Sequence, residues 1–129
     1  MRAKGIRPDI DLARAGGIAT GRGVLVDRYL CTSRPGVYAA GDCAEAPDML
    51  VPGKTTIPGT WFEAVAQGEI AGANLADRAC PSPGAFKMNV MEILGIAVAS
   101  MGLIQPAEPD GRVVVRARDG SYRKLVIAR

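Results

Sequence analysis

Apolar and polar positions alternate along this chain in two styles, and the style changes near its middle. In "RGVLVDRYL" three apolar residues, Val24 to Val26, predict a short strand followed by a solvated turn. "TSRPG" is turn chemistry, with Pro35 followed by Gly36. The run Val37 to Ala40, "VYAA", is apolar throughout and predicts a strand buried on both faces, as in a sheet covered by helices. That run stops on Gly41 and Asp42. A buried carboxylate is costly unless it is paired, so Asp42 either sits in a solvated turn or meets a ligand.

Further on, Phe62, Val65, Ala66, Ile70 and Ala73 form one apolar stripe at helical spacing. "TWFE" in front of them reads as a capping box, with Thr60 capping the amide of Glu63. Gly68 and Gly72 weaken this helix by about 1 kcal/mol each relative to Ala, which suggests close approach of another backbone. The helix is expected to end near Arg78, before "CPSPG". Earlier, Asp9 or Asp11 is placed to cap a short helix over "DLARA" that ends at Gly16 and Gly17. Residues 44–60 hold three prolines and two glycines and read as a long loop. After Pro83 the period shortens. "KMNVMEILGIAVASMGLI" has strand-like apolar segments broken by Gly95 and Gly102, and "GRVVVRARDGSYRKLVIAR" predicts a hairpin turning at Asp119-Gly120. A composition boundary at about 80 to 86 separates the two halves.

Composition narrows the function classes. Hydrophobic residues make up 48% of the 129, enough for a core, and the net charge is only +3. Arg112, Arg116, Arg118, Arg123, Lys124 and Arg129 cluster near the C-terminus; as residues of alternating strands they read most simply as a solvated face. No nucleic-acid motif accompanies them, so nucleic-acid binding is not expected. "ILGIAVASMGLI" is shorter than the ~20 residues a membrane span needs, and "MRAKGIRPD" lacks the apolar core of a signal peptide. Cys31, Cys43 and Cys80 are dispersed, which suits incidental thiols in a reducing, cytoplasmic compartment. The chain has no histidine, so it offers no histidine base and no histidine metal ligand. No Gly-rich GxGxxG opening occurs, and the chain starts and stops without opening or closing elements. It therefore reads as part of something larger.

Nine positions now combine: Thr32, Ser33, Pro35, Val37, Tyr38, Ala39, Ala40, Gly41 and Asp42. With "GIRPD" upstream and "WFEAVAQGEIAGANLA" downstream, they resemble the flavoprotein pyridine nucleotide-disulfide oxidoreductases, where the chain re-enters the FAD domain after the NAD(P)H domain. "FKMNVMEILGIAVASMGL" and "SYRKLVIAR" resemble the C-terminal interface domain of the branch with NADH oxidases, nitrite reductase large subunits and rubredoxin-type reductases. The resemblance implies an α/β remnant of an FAD-binding domain over residues 1–80. Part of an α+β antiparallel-sheet interface domain follows over 81–129.

Carried over residue by residue, the resemblance gives Asp42 a hydrogen bond from a ribityl hydroxyl of FAD. A carboxylate accepts and a sugar-like hydroxyl donates, so the pairing is chemically sound. Gly41 lets the backbone approach the ligand, and the amides of Asp42 and Cys43 face the pyrophosphate. The helix opening at Thr60 points its partial positive charge at the flavin, with Trp61 and Phe62 beside the isoalloxazine. The plainer readings stand beside these: Asp42 as a turn residue, Trp61 as a core anchor, Glu45 and Lys54 as solvated loop residues. NAD(P)H, the electron donor, would bind outside this chain. An electron-acceptor protein is a possible partner, a homo-oligomer is expected, and the isolated chain is expected to be inactive. The alternative is a non-catalytic dimerisation or interaction module. The family's redox cysteine pair lies in a region absent here, and a C-terminal His-Glu pair finds no counterpart.

Overall fold

The computed structural model describes residue 5, residues 7–106 and residues 111–127. Ile6 of the Gly5–Asp9 element and Arg129 of the basic cluster fall outside them. The chain divides into two compact units, residues 1–88 and 89–129.

In the first unit a short helix α1 (Asp11–Ala15) precedes strand β1 (Val24–Leu25). The Asp9 carboxylate accepts from the Asp11 amide at 3.3 Å, but Ile10 is the N-cap and no side chain caps the helix. Strand β1 runs parallel to β2 (Ala44–Pro47), with Val24 opposite Ala44; β2 pairs antiparallel with β3 (Thr55–Thr56), with Ala46 opposite Thr56. A strand buried on both faces does exist, but it is β2, whose Ala44, Glu45 and Ala46 are all buried.

The expected strand over Val37–Ala40 is corrected accordingly. The segment is extended, yet it pairs only as one arm of a small loop: Cys31 opposite Tyr38, Thr32 N–H to Val37 O, and Ala39 N–H to Leu30 O. Arg34 O accepts from Val37 N–H across Pro35-Gly36 and closes the loop. The expected loop over 44–60 is corrected as well. It contains β2 and β3, joined through a turn in which the Asp48 carboxylate accepts from the amides of Leu50 and Val51.

The core gathers Val26, Leu30, Ala44, Ala46 and Ala85, with Ala39, Ile70 and Ala71 packed against it. The last two come from helix α2 (Trp61–Leu75). This helix does not bury the expected stripe: Phe62 and Val65 are exposed, and its buried residues are Gln67 and Asn74. Irregular backbone needs partners that no ladder supplies. Asn74 provides three: its Nδ2 donates to Tyr29 O and Cys80 O at 2.9 and 2.8 Å, and its Oδ1 accepts from Cys80 N–H at 2.8 Å. Gly68 and Gly72 have no described backbone close to them. Residues 82–85 belong to this unit through Ser82 N–H to Arg28 O and Ala85 N–H to Pro47 O, both 2.7 Å.

In the second unit β4 (Met88–Ile93, its first residue counted with the first unit) and β5 (Ile96–Met101) form one two-stranded sheet, and β6 (Arg112–Arg118) and β7 (Ser121–Ile127) another. The β6–β7 hairpin turns at Asp119-Gly120 as expected. Both residues have positive φ, 51° and 73°, as the tight primed turn demands. Among the described residues no helix is long and apolar enough to cross a membrane.

Candidate functional site

Gly41, Asp42 and Cys43 form a single 3-10 turn just before β2. Gly41 has φ 80°, and a Cβ there would lie 3.3 Å from Ala64 Cβ of α2, so both conformation and space favour glycine. The turn is held against the helix by Gln67, whose Oε1 accepts from Gly41 N–H at 2.8 Å. Asp42 is exposed and accepts no hydrogen bond among the described residues. Cys43 is half-buried, its thiol donating to Ala40 O at 3.4 Å.

The same helix opens at Thr60, Trp61 and Phe62, within about one turn of Ala64, the residue that Gly41 meets. Thr60 is the N-cap of α2, but the expected capping box is absent: its side chain makes no cap bond, and its Oγ1 is buried without a partner. Extended backbone at Thr60 (φ −131°, ψ 148°) is right for a cap, yet the hydroxyl is not used as one. The first-turn amides are left uncapped, at the end where a helix carries partial positive charge. Trp61 and Phe62 are 73% and 63% exposed and meet edge to face, centroids 5.6 Å apart. Trp61 is thus no core anchor of this chain. Burial pushes the Glu63 carboxyl above its ordinary range, opposed by the Phe86 backbone.

Glu45 was expected to be solvated and is instead buried in β2. Its Oε2 accepts from Gly23 N–H at 2.9 Å and its Oε1 from Thr55 Oγ1–H at 2.7 Å. Burial alone would raise its pKa, but these two bonds, the Arg22 backbone and the Arg22 charge together hold it below the ordinary value. A depressed carboxyl stabilises the fold above its unfolded pKa, about 4.3, and that stability is lost as pH falls through the folded value. Acid unfolding should therefore steepen below about pH 4.3 and lose that component in Glu45→Gln. Equal acid sensitivity of the two proteins, read from thermal midpoints across pH, would rule this out. Lys54 is exposed, as expected of a loop residue.

Gln67 and Asn74 escaped the sequence reading. Their signal is spacing: 67, 70, 71 and 74 complete a buried helical face whose two ends are polar.

Residues 1–68 match the pyridine nucleotide-disulphide oxidoreductase family, and the chain belongs to it. Over 52 residues it is 54% identical to the nitric oxide reductase FlRd-NAD(+) reductase of Salmonella typhimurium, a stretch covering 40% of this chain and 14% of that protein. Two solved structures are similar over nearly the whole chain. One is an FAD-dependent pyridine nucleotide-disulphide oxidoreductase from Desulfovibrio vulgaris (28% identity, TM-score 0.81, 96% of this chain and 32% of that one). The other is the NADH:rubredoxin oxidoreductase from Clostridium acetobutylicum (28% identity, TM-score 0.74, 98% and 31%). The chain thus spans about a third or less of the length of these relatives.

Proposed function

We propose that this chain is part of an FAD-dependent NAD(P)H oxidoreductase. Residues 1–80 supply the last segment of its FAD-binding domain, and residues 81–129 supply part of its interface domain. The observation that carries the reading is the uncapped start of α2 packed beside the Gly41–Cys43 turn. Free amides, an exposed carboxylate, the orphan Thr60 hydroxyl and two exposed aromatic rings fit a ligand with hydroxyls, phosphates and a flat ring system.

In this reading Asp42 accepts from a ribityl hydroxyl, and the amides of Asp42 and Cys43 face the pyrophosphate. The start of α2 faces the pyrimidine edge of the isoalloxazine, where reduction places negative charge. Trp61 and Phe62 shield the ring from water. Gln67 fixes the turn that aims Asp42. Bound FAD would supply hydride acceptance from NAD(P)H, which binds outside these residues. Electrons then pass to an acceptor, a redox protein of the kind that the names of the relatives suggest. The protein is expected to work in the cytoplasm as a homo-oligomer.

A second reading, a non-catalytic interaction module, rests on the second unit. Val90, Ile93, Ile96 and Met101 of its first sheet, and Leu94 in the turn between the two strands, are each at least half exposed, as a surface meant to be covered would be.

A chimera tests the first reading. Residues 1–129 would replace the matching portion of the Clostridium acetobutylicum reductase. The chimera should purify yellow, and Asp42→Ala should weaken FAD retention by ~10-fold or more, the size of one hydrogen bond to a charged group. The isolated chain should bind added FAD weakly or not at all. A colourless, folded chimera, or one whose flavin ignores Asp42→Ala, would overturn the assignment.

A further inference from the structure

The β6–β7 register sorts its side chains into two faces. Arg112 pairs with Ile127, Val114 with Leu125, Arg116 with Arg123 and Arg118 with Ser121. Because alternate pairs share a face, one face collects Arg112, Arg116, Arg118 and Arg123 around Val114, Leu125 and Ile127. Lys124 and Tyr122 lie on the other. Four of the basic residues thus share one exposed face, as expected of them, and Lys124 lies on the other.

Arg116 and Arg123 stand directly opposite each other, an arrangement that like charges disfavour. With Arg118, Asp119 and Ser121 they line a hollow of about 210 Å³. Asp119 pairs with Arg118 at 3.3 Å, and among the described residues neither Arg116 nor Arg123 has a carboxylate partner. The two guanidinium groups flank a space that suits an anion.

We propose that this face docks an acidic protein surface, one of whose carboxylates enters between Arg116 and Arg123. Guanidinium groups take carboxylates two-handed. The spread of the cluster selects a macromolecule. From Arg112 to Arg118 the strand runs about 20 Å at ~3.3 Å per residue, too long for a single small oxyanion. Aliphatic residues between the charges match the mixed character of protein interfaces. A second copy of the chain does not fit, since self-pairing through this face sets arginines against arginines. Single-stranded nucleic acid fits poorly, because the face has no aromatic ring on which a base could stack, and no duplex-reading motif accompanies the charge. None of these residues belongs to the flavin site, so the inference stands or falls apart from the flavin reading.

The test is fluorescence anisotropy of a labelled (Glu-Val)5 peptide titrated with the full chain. A single-stranded DNA oligonucleotide and phosphatidylglycerol vesicles serve as comparators. The acidic peptide should bind, and more weakly as salt rises. Arg116→Gln/Arg123→Gln should weaken binding by ~10-fold or more, as loss of both partners of a carboxylate does. Arg14→Gln/Arg78→Gln removes the same charge elsewhere and should change it less than ~2-fold. Arg116→Lys/Arg123→Lys, which keeps the charge but loses the fork, should fall between. Circular dichroism of each variant confirms that the fold is kept. No peptide binding, equal loss in both glutamine pairs, or tighter binding of DNA or vesicles would each overturn the proposal.

Discussion

Leu30→Ala should destabilise the first unit by about 3 kcal/mol, within the ~2–5 kcal/mol range for emptying a buried leucine site. Leu30 is 0% exposed, and the buried core beside it is Val26 and three alanines, with Ile70 of α2 packed against them, so little side-chain volume is at hand to fill the void. The backbone cannot easily collapse either. Leu30 N–H bonds Asp27 O, its carbonyl accepts from Ala39 N–H, and the Asp27 carboxylate holds the amides of Tyr29 and Cys31. These bonds keep Leu30 at φ 61°, a left-handed conformation that costs a non-glycine residue of order 1–3 kcal/mol. Burial of the side chain offsets that strain; alanine keeps much of the strain and loses the burial. Small domains have a total stability of about 5–15 kcal/mol, so the variant should lose roughly a fifth to three fifths of it. Urea titration at unchanged slope would measure the effect. A loss under ~1 kcal/mol would mean that the site repacks or that Leu30 is not its anchor.

Asn74→Asp should be nearly as damaging, at about 2–4 kcal/mol near neutral pH, although it changes almost no volume. Asn74 is 8% exposed, and its amide nitrogen donates to two carbonyls that meet no ladder. A carboxylate cannot donate. It would strand Tyr29 O and Cys80 O, each loss costing about 1–3 kcal/mol, and set a negative charge against them. Both effects raise the introduced carboxyl's pKa in the folded state above the unfolded ~3.9. A raised acid favours the fold at low pH and loses that benefit as pH climbs through the folded value. The gap between variant and parent should therefore narrow on acidification, the reverse of the Glu45 dependence. A gap independent of pH would show that the charge reaches solvent. Asn74→Ala, which adds no charge, should give a constant deficit.

Both residues show what could and could not be read along the chain. The hairpin at Asp119-Gly120 was legible because strand period and turn chemistry are both local, and they agree there. The helix after Thr60 was legible for the same reason, but its buried face was not. That face is chosen by Gly41, Tyr29 and Cys80, whose backbone groups need Gln67 and Asn74, and hydrophobicity carries no trace of such a need. "VYAA" looked like a sheet strand because apolar extension is local, whereas pairing is not: Leu30 and Thr32 took its hydrogen bonds. Glu45 looked like a loop carboxylate because its partners, Gly23 and Thr55, lie on either side of it at a distance in sequence. The candidate site was legible as a motif at Gly41 and Asp42. The clamp that seats this turn on α2 was not, since Gln67 reads as one more polar helix residue.

The contrast between the hairpin and the β1–β2 pairing has a kinetic consequence. Every β6–β7 pair closes on a two-residue turn, whereas Val24 must find Ala44 in parallel, and Asn74 must find Tyr29. Hairpins form within about 1–10 μs but are marginal when only two strands share the load. Long-range pairing is slower, because the loop is closed before any contact rewards it. The amides of β6 and β7 should thus exchange with deuterium through frequent local opening. Those of Leu25 and Val26, bonded to Ala19 O and Glu45 O, should exchange only when the whole first unit comes apart. In refolding, the first unit should set the slow clock, with the hairpins flickering in and out long before it finishes.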